Sequence, residues 1–130
     1  MKFCLSSDVS KHNGSWQQPT WQQVFEKLTI LKKSHGCVGL DLLEGNPYGI
    51  DTLQVRYDGT RYVLSHLLNT EDDEEVYDFI EPNSCGDPHK LTDVLGDLWS
   101  EASVCTDFSY VFKYFKEFWE TGKVSLEHFS

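Results

Sequence analysis

Eight carboxylates and no Lys or Arg lie between Glu71 and Asp87, and the segment opens on the unbroken run Glu71, Asp72, Asp73, Glu74 and Glu75. Carboxylates at this density can act as a general acid and base, ligate a hard cation, or project a negative field. Acid–base catalysis needs two carboxylates whose surroundings push their pKa values apart, and no spacing among the 21 acids singles out such a pair. Asp72, Asp73 and Glu75 have the flavour of a calcium site, but the D-x-[DN]-x-[DN]-G framework closed by a Glu at position twelve is missing. The field remains. It attracts and orients a cationic partner and repels nucleic acid and anionic membranes.

The other reactive side chains are dispersed. Cys4, Cys37, Cys85 and Cys105 form no CxxC pair and have no His at zinc-ligand spacing, so neither a metal site nor a disulfide framework is expected. Cys37 and Cys105 read as small core residues, and Asp107 beside Cys105 opposes thiolate formation there. Gly45, Gly49 and Gly59 read as turn glycines, with no GxxxxGK loop to cradle a phosphate. Lys27, Lys32 and Lys33 are too few to follow a nucleic-acid backbone. No catalytic residue, cofactor or metal is expected.

Composition fits one folded domain over residues 1–130: the chain is 39% hydrophobic and 14% aromatic, which argues for a packed core despite the charge. The net charge of −10 is uneven. Residues 1–40 carry five Lys against Asp8 and Glu26, so the acidity belongs to the remainder of the chain. No apolar run approaches the roughly 18 residues that span a bilayer. Met1 to Leu5 does not read as a secretory signal, and a reducing cytoplasm suits the free thiols.

Local patterns supply the elements that must hold these residues. Phe3–Leu5 is a short strand or arm, followed by a polar loop through Ser15. Thr20 and Gln23 make a capping box, and Trp21, Val24, Phe25, Leu28 and Leu31 form one stripe of a helix from Thr20 to about Ser34. Cys37–Leu43 suggests a strand, and Glu44–Gly49 a turn. Leu53, Val55 and Tyr57 alternate with polar residues, Asp58-Gly59 predicts a type I′ hairpin turn, and Tyr62, Leu64 and His66 alternate on the return. Val76–Ile80 makes a further strand, so the acidic run becomes an exposed loop between antiparallel strands. The 88–102 segment has helical spacing at Leu91, Val94, Leu95, Leu98, Trp99 and Ala102, interrupted by Gly96. Thr106 or Asp107 caps a last helix carrying Phe108, Val111, Phe112, Phe115, Phe118 and Trp119 to Gly122. Val124, Leu126 and Phe129 form a tail over the core. The resulting expectation is an α+β fold, an antiparallel meander of about four or five strands framed by an N-terminal and a C-terminal helix packed on the sheet.

The stretch from Leu95 to Ser125, LGDLWSEASVCTDFSYVFKYFKEFWETGKVS, resembles small bacterial immunity proteins, which neutralise the toxins of contact-dependent inhibition and other polymorphic toxin systems. The Trp-led first helix, the sheet with an acidic loop and the Phe115–Phe118 and Thr121–Ser125 segments carry the likeness. It implies a strand around Val94–Trp99 in place of the helix. It also implies a cytoplasmic, non-catalytic inhibitor of a cognate toxin C-terminal domain, often a nuclease with a basic cleft. Asp58, Glu71, Asp72, Asp73, Glu74, Glu75 and Asp78 are then the candidate partner-binding residues. A small enzyme using Cys or carboxylate chemistry and a non-catalytic adaptor domain are the competing functions.

Overall fold

A computed structural model describes residues 1–130. Its elements, in chain order, are β1 (Phe3–Val9), β2 (Gly14–Gln17), α1 (Trp21–Lys32), β3 (Gly36–Leu42), β4 (Asp51–Tyr57), β5 (Tyr62–Asn69), β6 (Glu74–Asp78), β7 (Leu91–Val94), β8 (Asp97–Ser100) and α2 (Ser109–Thr121). The fold is α+β. Six antiparallel strands form one sheet in the order β2-β1-β3-β4-β5-β6, and β7-β8 is a separate hairpin.

Alternation along each strand decides which face is buried. Leu5, Leu40, Leu53, His66 and Tyr77 are successive cross-strand partners in one row. Ser7, Val38, Val55 and Leu64 make the adjoining row. Both helices press on this face: α1 through Val24, Leu28 and Leu31, and α2 through Val111, Tyr114, Phe115 and Phe118, all buried. The tail closes over Phe79, with Phe129 at 5.5 Å from it and edge-on to Tyr114 at 5.1 Å.

Thr20 caps α1 in the expected way: its Oγ1 accepts from Gln23 N at 3.2 Å, and Gln23 Oε1 accepts from Thr20 N at 2.8 Å. Thr20→Ala removes one acceptor for an otherwise orphaned N–H and should lower the unfolding free energy by about 1 kcal/mol, measured by urea titration. At the other helix the cap works one residue further out. Asp107 Oδ1 accepts from Ser109 N at 3.1 Å and from the Ser109 hydroxyl at 2.7 Å, while Gly122 ends α2 in the left-handed conformation at φ 74°.

Several expectations change. The polar stretch after Leu5 is strand through Val9 and returns as β2. Asp58-Gly59 is not a two-residue type I′ turn: only Gly59 has positive φ, and a four-residue loop, Asp58 to Arg61, joins β4 to β5. Asp58 Oδ1 accepts from Thr60 N and Arg61 N, and this carboxylate-closed turn outcompetes the tighter one. Residues 88–102 hold no α-helix. Leu95 and Gly96 both take positive φ, 56° and 88°, which is what a two-residue hairpin turn needs, and β7 and β8 pair across it. Arg56 Nη1 meets Asp97 Oδ2 at 2.6 Å and Arg61 Nη2 donates to Asp93 O at 2.9 Å, pinning the hairpin to the sheet face away from the helices. Tertiary anchoring therefore overrides the helical spacing.

Candidate functional site

The acidic run sits where β5 turns into β6. Thr70 to Asp73 form the turn, closed by Thr70 N donating to Asp73 O at 2.8 Å, and Glu74 and Glu75 begin β6 itself. Glu71, Asp72, Asp73, Glu74 and Glu75 are all exposed. None forms an ion pair, since the four in the chain use Glu44, Asp97, Asp58 and Glu120. Two of the five are engaged locally: Asp73 Oδ1 accepts from Glu74 N at 2.8 Å, and the Tyr77 hydroxyl donates to Glu75 Oε2. Glu71, Asp72 and Glu74 are left without a side-chain partner in the fold.

β6 is a sheet edge, and half of it is open. Phe79 N donates inward to Leu64 O, whereas Asp78 N and O pair outward with Ser130 and Ile80 N with His128 O. By antiparallel alternation Val76 then points its N–H and C=O outward, where no strand pairs with them. Its side chain is 54% exposed. Nearby at this end of the sheet, Tyr48 and Ile50 are 54% and 49% exposed. The site is an acidic turn beside an unpaired strand edge with apolar side chains around it.

The seven sequence-selected residues do not converge. Glu71 to Glu75 form one surface. Asp58 does not join it: it lies in the β4–β5 loop, at the opposite end of β5, so ~25 Å of strand separates the two. Its carboxylate is held below the ordinary value against burial by hydrogen bonds from Arg61 and Thr60, and Arg61 pairs with it at 3.1 Å. Asp58 is a turn residue. Asp78 is half-buried on β6, accepts from Ser65 Oγ at 2.6 Å, and has its pKa raised by burial.

Beneath this end lies a buried polar pair, of which the sequence pattern marked only His66, and that as a strand residue without a functional role. Asp51 and His66 are 6% and 3% exposed. Both fall on the inward parity of their strands, Asp51 with Leu53 and Val55, His66 with Tyr62 and Leu64, and a polar residue on an apolar stripe was the available signal. Asp51 Oδ1 accepts from Asn46 Nδ2 at 2.8 Å and Asn69 N at 3.0 Å, tying the Glu44–Gly49 loop to the end of β5. His66 Nδ1 meets Thr52 O at 3.1 Å. Since a carbonyl only accepts, Nδ1 carries the hydrogen.

Burial lowers the His66 pKa, opposed by the Thr52 carbonyl and Asp51. The folded value therefore lies below the unfolded one, and the unfolded chain takes up the proton first. This contribution to stability is complete above about pH 6.5 and is lost as pH falls from there toward the folded value, with a slope of at most about 1.4 kcal/mol per pH unit. The other four histidines are exposed. His66→Phe should flatten the stability profile between about pH 7 and 5, measured by urea unfolding at each pH.

The thiols are not arranged for nucleophilic chemistry. Cys105 is buried and its pKa is pushed up to about 12, chiefly by desolvation, and burial also raises Cys37. No thiol hydrogen-bonds a histidine; the partners of Cys4, for example, are Ser15 and Gln17. A separate group of exposed leucines, Leu91, Leu95 and Leu98, lies on the β7-β8 hairpin.

A family described as of unknown function, DUF6911, matches residues 2–128. No curated protein matches the chain. Among solved structures, the crystal structure of a hypothetical protein from Neisseria gonorrhoeae has a similar fold, with a TM-score of 0.72 over 95% of this chain and 90% of that one at 14% sequence identity.

Proposed function

The chain belongs to the DUF6911 family, whose function is unknown, and from that starting point we propose that it is a cytoplasmic immunity protein. It binds a basic toxin domain and neutralises it by occupying its active site or substrate path. The observation that carries this reading is the run Glu71 to Glu75: five exposed carboxylates without a cation, beside an open strand edge. Carboxylates crowded like this repel one another, so the run weakens the fold unless a cationic surface neutralises it. A nuclease toxin has such a surface, because its cleft must hold phosphates, and an acidic inhibitor can occupy the same cleft. The Leu95–Ser125 resemblance points to the same class of protein.

Acidic side chains at an edge also discourage two copies of a sheet from pairing. That role is compatible with toxin binding. One experiment separates a toxin-binding role from this guarding role alone. The gene directly upstream is read for a C-terminal toxin domain, and the domain it encodes is produced on its own and titrated with this protein. A one-to-one complex that abolishes toxicity supports immunity. A toxin that stays active and unbound in the presence of excess protein defeats it.

A further inference from the structure

A cavity of about 480 Å³ opens beside the Asp51–His66 pair, between the end of the sheet and the segment that follows α2. Its apolar lining comes from Met1, Leu42, Leu68, Val124 and Leu126, and Glu44, Asn46, Asp51, Thr121 and Lys123 line it as well as His66. This is the size and character of a small-molecule site, largely apolar with a few convergent polar groups.

The polar group is defined in unusual detail. His66 is 97% shielded yet its Nε2 makes no hydrogen bond, and Nε2 is not among the buried atoms sealed from solvent without a partner. His66 lines the cavity, and with Nδ1 engaged by Thr52 O, Nε2 is the ring nitrogen free to serve it. With the hydrogen on Nδ1 and the ring neutral, Nε2 presents a lone pair. A leucine would satisfy the packing of the row that His66 interrupts, as Leu5, Leu40 and Leu53 do in their strands. The ring is held in place by Phe118, edge-on at 5.5 Å, and by the Thr52 carbonyl. An ordered acceptor on this wall favours a ligand that brings a donor, because an apolar ligand without one would displace the water that solvates Nε2 and leave the nitrogen unpaired.

We propose that this cavity is a binding site for a neutral, apolar small molecule carrying one hydroxyl or N–H donor, of the phenol or indole class, whose donor bonds His66 Nε2. The site is independent of the acidic surface. It commits to a small molecule in preference to a partner's side chain because its volume exceeds what one anchoring residue fills.

The test titrates the full chain, labelled with ¹⁵N, with p-cresol and with toluene, which share an apolar body and differ in the donor. The His66 ring nitrogens are followed by NMR. p-Cresol should bind roughly tenfold more tightly than toluene, the worth of one hydrogen bond, and should move the Nε2 resonance more than Nδ1. His66→Phe should bring the two affinities together. Leu126→Trp, which fills the cavity and leaves His66 in place, should abolish both and covers the case in which the first variant is poorly folded. Equal affinities in the wild-type chain, binding of p-cresol that leaves Nε2 unmoved, or a preference that survives Leu126→Trp would overturn the site. So would a cavity that ignores both probes, whether or not it responds to the toxin domain.

Discussion

Phe118→Ala should destabilise the protein by about 3–5 kcal/mol, a large share of the total stability of a domain this size. Phe118 is fully buried. Its ring stands edge-on to Phe3 on β1 and to His66 on β5, each with centroids 5.5 Å apart, so one side chain joins α2 to two strands that are not neighbours in the sheet. Truncation leaves a void bounded by β-strands on one side and a helix on the other. Neither can collapse without disturbing the hydrogen-bonded ladder, which puts the cost at the upper part of the range. Urea unfolding should show a lower midpoint with an unchanged slope. A loss below about 1 kcal/mol would mean that α2 is not seated on the sheet through this residue.

Replacing Glu71 with Gln, Asp72 with Asn and Glu74 with Gln together should slow association with the toxin domain by roughly ten- to a hundredfold at low ionic strength. These three are chosen because the Asp73 carboxylate accepts from Glu74 N and Glu75 accepts from Tyr77. The difference from wild type should shrink near 0.15 M salt, where the screening length is about 8 Å, and the dissociation rate should change far less. Stability in the absence of toxin should rise by a few tenths of a kcal/mol, because like charges are removed from one turn. Stopped-flow mixing at several salt concentrations measures the first effect and urea unfolding the second. Unchanged association at low salt, together with slower binding by Leu98→Ser, would move the contact to the β7-β8 hairpin.

Local chemistry made α1 legible, since the capping box and the apolar stripe fall within one short window. The sheet was legible in part. Leu53, Val55 and Tyr57 alternate as they must, but the extra strand pair at the N-terminus is written in Ser6, Ser15 and Gln17, polar residues that suit the uncovered face, and in Ser7, a buried serine in the row of Val38, and all four look like loop. The 88–102 segment stayed open between the helix its leucine spacing suggests and the strand the resemblance implies; strands form, held by Arg56 and Arg61, more than 30 residues away, and by Leu95 accepting a positive φ. The exposure of Glu71 to Glu75 followed from the sequence. The cavity did not, because it needs β3, β4, β5 and the post-α2 segment to meet, and no sequence window contains all four.

Trp119 Nε1 donates to Pro19 O at 3.1 Å, closing a span of 100 residues. That bond and the packing of α2 have a consequence in time. The sheet strands pair nearly in the order in which they are made, and β6 is complete at Asp78, but α2 ends only at Thr121, so about 40 further residues must be synthesised before the second helix can cover the apolar face. At about 5–20 residues per second this interval is roughly two to nine seconds on the ribosome. Through it Leu53, Leu64 and Phe79 are without their final cover. The nascent chain, more than the finished protein, is then the species that depends on chaperones, and premature termination before α2 should yield an insoluble product.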